Sequence, residues 1–364
     1  MSNTRKTDQL DIFRPEKFMS HPKVSGINIG LNVVVRNGRS RNEKERASLI
    51  WLHNYARLRG VTADGLSEEI QIDRNDITHA LTNPDYNLDP FVATVTDVRT
   101  NFDRTRRRLY PTTGCKLIHK VVRFAADKSN PCEIIGKWRS GKTWPAWEAF
   151  LDNMHRALWF LCPSGNDTRD FFSEFARHAS IGVGTIYKPG QLRPKLLSLF
   201  GKNAIELLIT DEAQRLWPTT NSRNGTMAYP RRLEFERDIY DMFIPAQVGI
   251  VNLCTPQHSE MMSKALAKHE LWAPGQWEGR AQGWAIPETM TDEELEGVAR
   301  WHGPDLADNA TGPLLDFAKS SEGYIGSMVK AIERAREFYA EGKTIRRADV
   351  VGAIKSIQEA AKAK

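Results

Sequence analysis

At 364 residues, with 40% hydrophobic and 26% charged side chains and a formal net charge of +6, the chain is long enough for two or three domains and a sizeable core. No run of roughly 18 apolar residues occurs and the opening MSNTRKTDQLDIFRPEK is polar throughout, so the expectation is a cytoplasmic protein with no membrane partner. Cys115, Cys132, Cys162 and Cys254 lie far apart with no C-x-x-C pair, which argues against a zinc site and against a disulfide framework.

Residues 1–42 scatter Arg, Ser, Asn and Gly around one apolar run, Val33-Val34-Val35, and read as a flexible basic arm with one short strand. Charge is uneven here: residues 1–60 hold twelve Lys/Arg against five Asp/Glu, and a second basic cluster follows at Arg104, Arg106, Arg107 and Arg108. Such runs are either solvated faces or contacts to a polyanion such as DNA.

Residues 43–108 have helical periodicity. Leu49, Ile50, Leu52, Ala56 and Leu58 recur at three- and four-residue spacings until Gly60 stops the helix, and a short second helix is expected around Gly65–Ile70. In IDRNDITHALTN (72–83), Asp73 suits an N-cap, with Ile77, Ala80 and Leu81 facing inward. Short helix, tight turn, short helix is the order of a DNA-binding helix-turn-helix, with Arg74, Asn75, Asp76, Thr78 and His79 outward; an ordinary helical bundle shares the pattern.

From about residue 109 to 287 strands alternate with helices. CEIIG (132–136), ALWFLCP (157–163), IELLITDE (205–212) and QVGIVNLCT (247–255) read as buried strands, which predicts a parallel α/β sheet. From 288 to 364 four helical stretches follow.

Gly136-Lys137-Trp138-Arg139-Ser140-Gly141-Lys142-Thr143 satisfies G-x-x-x-x-G-K-[ST] between a strand and a helix. In that motif the backbone N–H groups cradle phosphates, Lys142 neutralises β/γ oxygens and the Thr143 hydroxyl ligates Mg²⁺, so ATP and Mg²⁺ are the expected cofactors. A carboxylate pair ending a buried strand supplies the complement: Asp211 as the second Mg²⁺ contact and Glu212 to polarise the attacking water. Thr255, or Asn252 before it, would sense the γ-phosphate, and Arg280, Arg231 or Arg232 would serve as an arginine finger from a neighbouring subunit.

With GKWRSGKT, LLITDEAQRL, GIVNLCTP and a helical end, the chain resembles AAA+ ATPases, and more narrowly the transposition regulators of the phage Mu B, TnsC and TniB type. DEAQRL (211–216) is similar to the D-E-A-Q-H-L form of that group, with Arg215 replacing His, and ITHALTNPDYNLDP resembles the end of its N-terminal DNA-binding module. The resemblance implies an AAA+ sheet with a helical lid, preceded by an all-α helix-turn-helix domain. It also implies ATP-dependent assembly into hexameric rings or helical filaments on double-stranded DNA, target selection, and stimulation of a cognate DDE transposase. One departure is Gly326 in GYIGSMVK, where the group often places a second sensor arginine; Lys330 is a weak substitute. A helicase loader or prophage replication ATPase, or a regulatory or defence ATPase switch, are the alternative readings of the same motifs.

Overall fold

The structure, a computed structural model, describes residues 15–21, 23–24, 29–164, 168–179, 181, 189–216, 247–268, 281–321, 324–340 and 343–362. They fall into two compact units, the first drawn from residues 1–107, 121–134 and 147–284, the second from 108–120, 135–146 and 285–364.

The first unit begins with helix α1 (Pro15–Ser20), the antiparallel ribbon β1 (Lys23–Val24) and β2 (Ile29–Gly30), and helix α2 (Leu31–Gly38). The expected flexible arm is therefore wrong for residues 15–20, 23–24 and 29–38, and the valine run is a helix instead of a strand. The reason is burial: Leu31, Val34 and Val35 share one helical face and are each no more than 1% exposed, while Phe18 of α1 packs against Trp147 and Phe150. Residues 1–14 lie outside the described ones.

Helix α3 (Glu43–Arg59) starts at a capping box in which Asn42 and Glu45 satisfy each other's backbone N–H, and it ends at Gly60 in the left-handed region (φ 62°). It is buried on every side from Ser48 to Leu58, and Asn54 donates to the carbonyls of Met154 (2.7 Å) and Ala157 (3.3 Å). His53 and Arg57 are as fully buried on it as Asn54. Burial, followed by the charge of Arg57, pushes the His53 imidazole down to about 3. Arg57 lies over the Phe18 ring, donates to the His21 carbonyl (2.8 Å), and is pushed down by burial to about 9.

Helices α4 (Ala63–Ile70), α5 (Arg74–Thr82) and α6 (Asp89–Thr105) follow as the periodicity predicts. Thr62 caps α4, and Asp73 caps α5 through the Asn75 N–H. Leu66, Ile70, Ile77, Ala80 and Leu81 close the core between them.

After α7 (Thr113–Lys128) comes strand β3 (Pro131–Ile135), then helix α8 (Thr143–Asp152), β4 (Ala157–Leu161), α9 (Thr168–His178), α10 (Pro189–Leu197), β5 (Leu207–Asp211), β6 (Gly249–Cys254), α11 (Pro256–Lys268) and β7 (Gln282–Ala285). The five strands form one parallel sheet in the order β4-β5-β6-β3-β7. Leu161 pairs with Asp211 and Thr210 with Asn252. Every residue of β5 and β6 is buried, as continuous apolar strands covered on both faces should be. The chain is thus α/β; β7, polar and largely exposed, carries no apolar run that announces it.

The second unit contains the segment joining β3 to α8, the start of α7, and helices α12 (Asp292–His302), α13 (Thr311–Ser320), α14 (Tyr324–Phe338) and α15 (Arg347–Lys362). Leu295, Leu314, Met328, Ile332, Ile345 and Val350 lie at the centre of its core. No helix among the described residues is long and apolar enough to cross a membrane.

Candidate nucleotide site

The segment from Gly136 to Thr143 leaves the end of β3, turns, and enters α8, the local order that the phosphate-loop motif requires. Gly141 has φ 81°, a conformation that a side chain would strain. Gly136 is buried, and a Cβ there would come within 2.9 Å of Ser140 Oγ. The Lys142 ammonium folds over the loop, donating to the carbonyls of Gly136 and Lys137 (both 2.7 Å) and to Ser140 Oγ (3.3 Å). The loop thus carries a positive charge at the centre of its own backbone ring. The Thr143 hydroxyl-bearing residue opens α8, whose N-terminal dipole adds to that charge.

Lys137 reaches away to Glu288 (2.9 Å). Trp138 is 64% exposed, and the Arg139 guanidinium lies over its ring, 4.2 Å from the centroid. Arg139 itself sits at φ 60°, which costs a residue with a Cβ on the order of 1 kcal/mol.

Beside the loop, within the same unit, a largely apolar pocket of about 580 Å³, open space at its mouth included, is lined by Tyr110, Ile118, Trp144, Met290, Trp301 and Ile325 and reaches Ser140 and Gly141. Its aromatic walls suit a flat ring. The pocket was not foreseen from sequence, because its walls come from four separated segments, 109–118, 140–145, 286–302 and Ile325.

Compared with known proteins, the chain matches no protein-family model and no curated protein.

In the first unit, Asp211 is the buried last residue of β5, its Oδ1 accepting the Glu212 N–H (2.8 Å). Glu212 adopts φ 56° at the strand end. Its carboxylate accepts from Gln214 Nε2 (2.5 Å) and lies 3.5 Å from Arg215 Nε, so Arg215, noted in the sequence only as a replacement for His, holds the carboxylate from the following 3₁₀ turn (Ala213–Leu216). Arg215 also donates to the Cys162 carbonyl (3.3 Å). On the adjacent strand β6, Asn252 is buried in register with Thr210, and Thr255 follows the strand end. The buried Thr255 Oγ1 has no hydrogen-bond partner among the described residues. Asp211, Glu212, Asn252 and Thr255 therefore gather at the carboxyl ends of two neighbouring parallel strands, where α/β sheets place their chemistry. Arg280, Arg231 and Arg232 lie outside the described residues.

The expected DNA-contacting residues divide. On α5, Arg74, Asn75 and His79 are exposed and Thr78 half-buried. Arg74 is engaged by both carboxylate oxygens of Asp64 (3.0 and 3.2 Å), Thr78 bonds its hydroxyl back to the Arg74 carbonyl (2.9 Å), and His79 stacks on Tyr86. Arg104 is exposed, donating to Asn101 Oδ1 (3.2 Å), and Arg108 is exposed too, its carbonyl accepting from Trp301 Nε1 (2.5 Å); Arg107 is half-buried. Arg106 is the correction: it is buried, paired with Asp152 and with Asp103 (3.4 Å), and lies over the Phe102 ring. Its charge is spent inside the protein and is not offered to a phosphate backbone.

Proposed function

We propose that the protein binds and hydrolyses ATP with Mg²⁺ and uses the nucleotide to control assembly on double-stranded DNA, as an AAA+ ATPase of the transposition-regulator type. The observation that carries the nucleotide reading is the Gly136–Thr143 loop: a strand-to-helix turn with Gly141 at φ 81° and the Lys142 ammonium held over the loop carbonyls. Lys142 and the loop N–H groups would hold the phosphates, and the apolar pocket reaching Ser140 and Gly141 would take the base. By the chemistry of their motifs, Thr143 in the second unit and Asp211 in the first each suit a Mg²⁺ ligand, and the ion would supply charge neutralisation on the phosphates. Glu212, held by Gln214 and Arg215, would orient water, and the Thr255 hydroxyl, without a partner among the described residues, fits a terminal-phosphate contact.

The DNA half of the reading rests on the exposed polar residues of α5 and on Arg104 and Arg108. The transposition branch, with its DDE transposase partner, hexameric rings or filaments and cytoplasmic setting, rests on the likeness of DEAQRL and GIVNLCTP to that group.

The test is nucleotide binding and phosphate release by the full chain, with and without duplex DNA. Lys142→Ala should lose ATP binding by about 100-fold or more, whereas Glu212→Gln should keep binding and lose hydrolysis by about 100-fold. Unchanged ATP binding in the lysine variant would sink the nucleotide reading.

A further inference from the structure

The phosphate loop carries three features that nothing in its folding requires. Arg139 holds a left-handed backbone (φ 60°) where glycine would sit without strain. Trp138 beside it is 64% exposed, although tryptophan gains from burial. Finally, the Arg139 guanidinium forms no ion pair among the described residues, while its neighbours are engaged, Lys137 by Glu288 and Lys142 by loop carbonyls.

The contacts Arg139 does make are suited to presenting a cation. The Trp138 ring takes one face of the guanidinium, 4.2 Å from its carbon. Stacking uses the face and leaves the in-plane N–H donors free for oxyanions. The aliphatic stem passes over Gly326 near the start of α14, leaving room for one methyl group: a Cβ added there would stand in ordinary contact, 3.6 Å from both Cβ and Cδ of Arg139. A side chain at 326 that extends well beyond a methyl group would compete with the stem for that space.

A nucleoside triphosphate differs from the diphosphate by one further phosphoryl group and its negative charge. An uncommitted, stiffened guanidinium inside the loop is the group best able to register that difference. We propose that Arg139 distinguishes tri- from diphosphate, with Gly326 as its seat on α14, so that the terminal phosphate is coupled to the C-terminal helices. This rests on the phosphate-loop reading above.

Arg139→Gly tests it, because glycine accepts φ 60° and the variant should fold at least as well as the parent. With the full chain, binding of ADP and of a non-hydrolysable ATP analogue would be titrated with Mg²⁺ present. The analogue should bind about tenfold more weakly, a loss of about 1.4 kcal/mol, while ADP changes by less than about threefold. Gly326→Leu, which crowds the stem, should move the same ratio in the same direction by a smaller factor. Equal losses on both nucleotides, or no loss on either, would overturn the role of Arg139 while leaving the nucleotide site standing. If the parent chain binds neither nucleotide, the phosphate-loop reading itself fails, and this inference with it.

Discussion

At the end of α6, Arg106 folds inward over Phe102 onto Asp103 and Asp152, whereas in the Gly136–Thr143 loop Arg139 stays outside, stacked on an exposed tryptophan with no carboxylate partner among the described residues. Both belong to short runs of polar and basic residues, and both make a cation–π contact. What separates them is how the charge is balanced. Arg106 is satisfied by acids within its own unit and so acts in folding. Arg139 is left with donors to spare, at a backbone cost, and so points to a ligand. The same division runs through the first unit as a whole, where Arg57 and His53 are buried within α3.

The largest effect that would sharpen this contrast is on stability. Arg106→Ala should destabilise the protein by about 3 kcal/mol, because it removes the ion pairs with Asp103 and Asp152, the buried arginine stem and the contact with Phe102. Arg139→Ala, by comparison, should stay within about 0.5 kcal/mol of the parent. Urea unfolding of the two variants decides it, and equal midpoints would erase the distinction.

These outcomes also mark what could be read along the chain. The strand-to-helix turn at Gly136–Thr143 was legible because its pattern lies within eight consecutive positions. The buried strands β3 to β6 and helices α3 to α6 were legible because their apolar spacing repeats locally. Arg106 was not, since its partner Asp152 is 46 residues away and nothing in an arginine run says which member turns inward. Val33-Val34-Val35 misled for the opposite reason: β-branched residues favour strands, but Leu31, Val34 and Val35 fall on one helical face that the fold buries. β7 carries no apolar alternation at all, and so lies below what pattern can detect.

A second, smaller effect tests the buried interior through pH. His53 takes up its proton near 6.5 when unfolded but only near 3 when folded, because burial and then Arg57 disfavour the imidazolium. Above about 6.5 both states hold the neutral ring and the residue adds no pH dependence. Below it the unfolded state binds a proton the folded state refuses, so stability falls with acidity down to about pH 3, by up to about 1.4 kcal/mol for each pH unit. Unfolding free energies measured between pH 7.5 and 5 should show this slope in the parent and a reduced one in His53→Gln. An unchanged slope in the variant would assign the acid sensitivity to other groups.

The smallest effect concerns the exposed end of the same arginine run. Arg104 bonds only to Asn101 Oδ1 among the partners seen for it and faces solvent, two residues from the buried Arg106. If the α5 and α6 surface meets DNA phosphates, Arg104→Ala should weaken duplex binding a few-fold at low salt and reduce the slope of log affinity against log salt by about 0.9, one phosphate contact's worth. Its melting temperature should stay at the parent value, because an exposed side chain with one neutral partner holds little of the fold. The reverse pattern, a lowered melting point with an unchanged salt slope, would place Arg104 with Arg106 as a folding residue. DNA contact would then have to come from elsewhere, since a basic run whose members all serve the interior offers a polyanion nothing to neutralise.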